Sequence, residues 1–181
     1  MRNVITNNET LKYFREGKIS ELSLGQDKYY CKPEIAKHLI SLIDLSEYEH
    51  IIEPSAGNGS FSLQIYNCEP YDLYPEHSSI KKANFFDLSF NYDKSKTLVI
   101  GGPPFGRNSE NAFKFIQHAS LFADTIAFIL PNQFKEESHR NKGVPIDLEC
   151  VFEIDLEEES FTIDGYLFSY PCVFQIYKKI L

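Results

Sequence analysis

Two uninterrupted apolar runs, TLVIGG at 97–102 and DTIAFILP at 124–131, constrain the fold more than any other feature of this 181-residue chain. Neither alternates polar with apolar residues, so each predicts a strand buried on both faces, and the neighbouring prolines end the ladder. Between the runs, Ala112, Phe113, Phe115, Ile116 and Ala119 recur at helical spacing over 110–121. Further upstream, Pro33 suits a first helical position, and Ile35, Ala36, Leu39, Ile40 and Ile43 continue an amphipathic helix up to Leu45. A strand ending at Glu53 follows, then a glycine-bearing turn, a helix through Phe61, Leu63, Ile65 and Tyr66, and a short strand around Pro70 to Leu73.

KKANFF predicts a further short strand, and the C-terminal stretches IDLECVFEIDL and YPCVFQIYKK read as a closing antiparallel pair. An acidic, turn-rich piece containing Asp164 and Gly165 separates them. The expected class is therefore α/β: a mostly parallel, seven-stranded sheet with an antiparallel C-terminal pair and helices on both faces. Such sheets bind ligands beyond the carboxyl ends of their strands, which directs attention to the turns there. Residues 29–181 are expected to form one domain, preceded over 1–28 by a polar lead-in in which Leu11, Tyr13, Phe14, Ile19, Leu22 and Leu24 allow a short helix.

A formal charge of -8 argues against a general electrostatic grip on nucleic acid, which needs lysine and arginine to displace counterions, although a local basic patch stays open. Cys31, Cys68, Cys150 and Cys172 form no CxxC pair and the histidines show no metal-ligand spacing, so reduced thiols and no metal are expected. No signal-type N-terminus and no membrane-length apolar stretch appear, so a cytoplasmic location away from membranes is expected.

In EPSAGNGSF, Gly57 and Gly59 allow a sharp turn and close approach of a ligand, because neither carries a Cβ. A nicotinamide dinucleotide fingerprint would need glycine or alanine at position 62, where the chain has Ser62. A purely structural turn satisfies the same residues. A second motif, GGPPFG at 101–106, stands at the end of the strand that contains TLVIGG.

GGPPFG resembles the Asp/Asn/Ser-Pro-Pro-aromatic motif of amino-group methyltransferases, above all the N6-adenine enzymes, and other segments follow that family's order over roughly residues 27–177. The resemblance implies the Rossmann-like methyltransferase fold and S-adenosylmethionine as cofactor. DKYYCKPEIAKHLI is similar to the segment that covers the methionine end, with Cys31 where threonine is frequent, so Tyr30 and Cys31 join Glu53, Pro54, Ser55, Ala56, Gly57, Asn58 and Gly59 as implied cofactor contacts. Asp72, beside Leu73, matches the acidic residue that bonds the ribose hydroxyls, and Asn84 with Phe85 matches an Asp-Phe pair at the adenine.

The resemblance also assigns roles to the second motif. An adenine N6 is a poor nucleophile because its lone pair is delocalised, and hydrogen-bond acceptors on its protons localise that pair. In the family, the first side chain of the motif and the next backbone carbonyl supply them. Pro103, Pro104 and Phe105 keep the rigid carbonyl and the aromatic ring that stacks on an extruded base. Gly102, which the family places against both cofactor and substrate, lacks the side-chain acceptor. That leaves three readings: a slowed or inactive enzyme, a substitution that spares binding, or an acceptor from another residue or water.

Asn132, Lys135, His139, Arg140 and Lys142, after the strand DTIAFILP, form a local basic run that suits phosphate contact and equally suits a solvated loop. The family's DNA enzymes usually carry an added recognition domain; none is expected within these 181 residues, so a protein partner is one way to supply recognition. The leading expectation is N6-adenine methylation of DNA or RNA; methylation of a protein glutamine amide and a silent cofactor-binding subunit are the alternatives.

Overall fold

The computed structural model describes residues 29–180, residues 15–17 and the backbone of Val4–Ile5. The six apolar positions expected to give a short helix in the lead-in, Leu11 to Leu24, lie outside the described residues. Seven strands form one sheet in the order β5-β4-β3-β6-β7-β11-β8. They are β3 (His50–Glu53), β4 (Cys68–Asp72), β5 (Lys81–Lys82), β6 (Thr97–Gly101), β7 (Thr125–Pro131), β8 (Leu148–Asp155) and β11 (Cys172–Lys179).

Strands β5, β4, β3, β6 and β7 run parallel, whereas β11 inserts antiparallel between β7 and β8. The expected parallel sheet with an antiparallel closing pair is therefore what the chain builds. Chain order reverses between β3 and β6, which are neighbours although β4 and β5 intervene in sequence. A crevice opens beyond such a reversal because the connections leave in opposite directions.

The apolar strands divide their side chains between two faces, as a period of two requires. Ile51, Leu98, Ile100, Ala127 and Ile129 meet Ala36 and Leu39 of α1 (Pro33–Ile40) on one face. On the other, Ile52, Val99, Ile126, Phe128 and Leu130 meet Ala112, Phe115, Ile116 and Ala119 of α2 (Glu110–Ala119). Near-continuous apolar runs were thus needed because every strand position in β6 and β7 is buried.

Four local expectations need correction. The helix through Phe61 to Tyr66 is a single 3₁₀ turn, Ser62–Gln64. Phe61 and Ile65 are buried but Leu63 and Tyr66 are exposed, and β4 begins at Cys68, so the chain has too few residues to form a longer helix and still return. KKANFF contributes only the two-residue β5; Asn84 instead caps a 3₁₀ turn, Phe85–Asp87, its side chain accepting from the Phe86 N–H at 3.3 Å. The helix from Pro33 stops at Ile40, short of Leu45, and α2 stops at Ala119, short of Leu121.

The acidic piece before β11 is the remaining difference. It folds as a hairpin of β9 (Phe161–Ile163) and β10 (Tyr166–Phe168), turned by Asp164 at φ 48° and Gly165 at φ 80°. Positive φ at both central residues matches the twist of a two-residue hairpin, and Asp-Gly is the pair that tolerates it. The hairpin joins β1 (Val4–Ile5) and β2 (Tyr30–Cys31) in a four-stranded sheet, and Phe161, Ile163 and Phe168 pack into the same apolar cluster as α1.

Candidate active site at the reversal point

At the carboxyl end of β3, Glu53 turns its side chain into the protein while the backbone reverses through Gly57 at φ 52° and Gly59 at φ 88°. A Cβ on Gly57 would stand 2.5 Å from the Tyr30 ring, so a side chain there is excluded by both backbone and space. The Asp72 carboxylate holds the turn from the neighbouring strand: one oxygen accepts from the Gly57 N–H at 2.8 Å and the other from the Tyr74 N–H at 2.7 Å. Tyr30 lies across the turn and donates its phenol hydrogen to Glu76 at 2.7 Å. Burial and that acceptor push the phenol pKa well up.

Glu53 is 2 % exposed and its carboxylate accepts from the Ser62 N–H at 2.9 Å. Burial pushes its pKa up to about 8, outweighing the Ser62 contact. Cys31 lies at the same level in β2; burial pushes its thiol up to about 12, which leaves it an unreactive neutral group.

The second motif leaves β6 directly alongside this turn. Gly101, at φ 143°, has Glu53 Cγ 3.1 Å from where a Cβ would be, so glycine is required at 101. Gly102 differs. It is exposed, and among the described residues a Cβ there would meet only Ile129 atoms, at 4.0 Å, so neither they nor the backbone demand glycine. The Gly102 carbonyl accepts from the Ser55 hydroxyl at 3.3 Å, joining the two motifs. Pro103 is buried, and Phe105 is partly buried with its ring 5.8 Å from that of Tyr170.

Two cavities flank this junction. One of about 240 Å³ is lined by Cys31, Glu53, Ser55, Ala56, Asn58 and Phe105 among others. One of about 480 Å³ is lined by Pro54, Ser55, Asp72, Leu73, Asn84 and Phe85. Tyr30, Gly102 and Pro104 belong to both, and Pro103 to the first. Of the residues singled out in the sequence, Gly57 and Gly59 shape the turn without lining either space, and Phe85 is mostly core, stacked 5.4 Å from Phe115. Phe161, Phe168 and Tyr170 wall the first cavity and Asn111 the second, though no motif marks them; the Asp-Gly turn is the signal that would have placed Phe161 and Phe168.

The basic run after β7 sits apart from these walls, since Asn132, Lys135 and Arg140 line neither cavity. Lys135 pairs with Asp155 at 2.8 and 2.9 Å, and Arg140 donates to the Phe134 and Lys135 carbonyls at 2.7 and 2.8 Å. His139 packs against Phe113 and Phe134, and burial pushes its pKa down. Asn132 follows β7 with its side-chain oxygen buried and unpartnered. Among the described residues, no helix is long and apolar enough to cross a membrane.

No protein-family model matches the chain, and no curated protein matches it in sequence. Solved structures do match in fold. PH1948 of Pyrococcus horikoshii, which carries a provisional RNA methyltransferase assignment, is 16% identical with a TM-score of 0.58 over 82% of each chain. TrmN of Thermus thermophilus is 17% identical with a TM-score of 0.55; the match covers 82% of this chain but 49% of TrmN, about half its length. Magnesium protoporphyrin IX methyltransferase of Synechocystis PCC 6803, solved with bound S-adenosylmethionine, is 13% identical with a TM-score of 0.51 over 81% of this chain and 77% of that one. The fold is the Rossmann-like fold of methyltransferases.

Proposed function

We propose that this chain is an S-adenosylmethionine-dependent methyltransferase, with residues 29–181 as its catalytic domain, acting on adenine N6 in DNA or RNA. The observation that carries the reading is the junction itself: the glycine turn after β3 and the Gly102–Phe105 motif after β6 meet at the reversal point and share two cavities. Methyltransferase folds among its structural neighbours, including one provisionally assigned to RNA and one with the cofactor bound, support it.

The residues fit this cofactor. Asp72 keeps lone pairs for ribose hydroxyls beside the apolar walls of Pro54, Leu73 and Phe85, and Asn58 offers polar atoms to a charged tail near Cys31. Bound there, S-adenosylmethionine supplies a methyl group on a positive sulfur; transfer to an amino nitrogen leaves a neutral thioether and releases one N–H proton to water. The protein has to orient the nucleophile and exclude water. Phe105 and Tyr170 line the first cavity with aromatic surface of the kind a planar base stacks on, and Pro103 lies in the rigid Pro-Pro segment on the same wall.

A net charge of -8 favours, as the second reading, a protein amide as acceptor. Labelled methyl groups from the cofactor, offered with total RNA, DNA or protein, separate the readings by which fraction takes up label. Titration calorimetry with S-adenosylmethionine tests the shared premise; absence of binding overturns both.

A further inference from the structure

The missing side chain of Gly102 leaves the amino group short of one acceptor, and the structure offers a replacement on the adjacent strand. We infer that the Ser55 hydroxyl, hydrogen-bonded to the Gly102 carbonyl, is the side-chain acceptor for the substrate amino group; this rests on the methyltransferase reading above.

The register explains the placement. In the parallel pairing of β3 with β6, Ile52 lies opposite Val99, so continuing the count brings Ser55 beside Gly102. The 3.3 Å contact between the Ser55 hydroxyl and the Gly102 carbonyl follows. A hydroxyl that donates its one hydrogen to a carbonyl keeps both lone pairs, and donation polarises it toward accepting. An amino N–H directed at Ser55 would therefore enter a short chain from amine to hydroxyl to carbonyl. Ser55 accepts a hydrogen bond and not the proton, which leaves to water.

The other polar groups nearby are less suited. The Glu53 carboxyl is almost wholly buried, and one of its oxygens accepts from the Ser62 N–H. The Asn58 amide oxygen accepts from both the Ser60 N–H and hydroxyl, at 3.2 and 2.8 Å. The Tyr30 hydroxyl also donates, but to Glu76, whereas the Ser55 hydroxyl is bonded to the Gly102 carbonyl of the second motif. Asn111 has a suitable amide but lines one cavity and packs against Gly106, whereas Ser55 lines both cavities at the point where Gly102 and Pro104 also meet. Gly102 has room for a side chain, so position 102 and Ser55 are alternative sources of one acceptor.

The test is a double-mutant cycle on the full chain with whichever fraction of total RNA, DNA or protein takes up labelled methyl groups. Ser55→Ala should lower kcat by ~10², Ser55→Thr should retain most of the activity, and Gly102→Asn introduced into Ser55→Ala should restore turnover toward wild type. The thermal unfolding midpoint should change little in Ser55→Ala, which separates lost chemistry from lost folding, and calorimetry with the cofactor on the same variant separates a loss in kcat from a loss of cofactor binding. Independent losses in the double variant, or an Asn111→Ala loss that Gly102→Asn rescues while Ser55→Ala does nothing, would overturn the assignment. Wild-type protein that binds the cofactor yet labels no fraction also overturns it, whereas failure to bind the cofactor removes the underlying function.

Discussion

The crevice between β3 and β6 and the loop after β7 both follow strands of one sheet, yet they are built in opposite ways. At the crevice the backbone does the shaping: Gly57 and Gly101 stand where a Cβ would strike Tyr30 or Glu53, and two cavities remain. Over 132–142 side chains do the work. Phe134 is fully buried, Arg140 caps two carbonyls, Lys135 pairs with Asp155 and Gln175 donates to the Phe134 carbonyl at 3.1 Å. Of the basic run, Lys135 and Arg140 thus have partners within the fold.

The contrast breaks most visibly if the loop's anchor can be removed cheaply. Phe134→Ala should cost about 3–5 kcal/mol of stability, measured by denaturant unfolding, because the ring packs against Phe113 and His139 with no exposure. Gly57→Val should cost about 1–3 kcal/mol through a left-handed φ and contact with Tyr30, and should abolish cofactor binding in calorimetry. A variant that binds normally would deny that the turn approaches the cofactor.

Arg140→Ala comes next, with about 1–2 kcal/mol lost from its two carbonyl contacts. The substrate KM should move less than the unfolding midpoint; a selective rise in KM would return Arg140 to the substrate. Glu53 sharpens the other side of the comparison. Its folded pKa, about 8 against an ordinary 4.5, means the folded state holds a proton that the unfolded state has already released between those values. Stability from this group is therefore full below about 4.5 and declines as pH rises to about 8. Glu53→Gln should flatten that decline in melts taken across the same range, and an unchanged slope would assign the ionisation elsewhere. The smallest effect belongs to Lys135→Ala: its ion pair with Asp155 is exposed, so its unfolding curve should overlay that of wild type.

What the sequence determined by itself were the elements whose signals are local and dense. The apolar runs of β6 and β7, the 3.6-residue spacing in α1 and α2, and the glycine and proline motifs all depend on near neighbours, and they located the crevice at the ends of β3 and β6. Tertiary structure decided the rest. Phe61 and Ile65 satisfied a helical pattern, but the short return to β4 left room for one 3₁₀ turn. The Asp164–Gly165 hairpin, once folded over α1's face, brought Phe161 and Phe168 to a cavity wall more than 100 residues from the glycine turn in sequence. Whether a lysine is free or paired, and whether Gly102 is forced or replaceable, depends on which atoms stand opposite across the fold, and spacing along a chain carries no record of that.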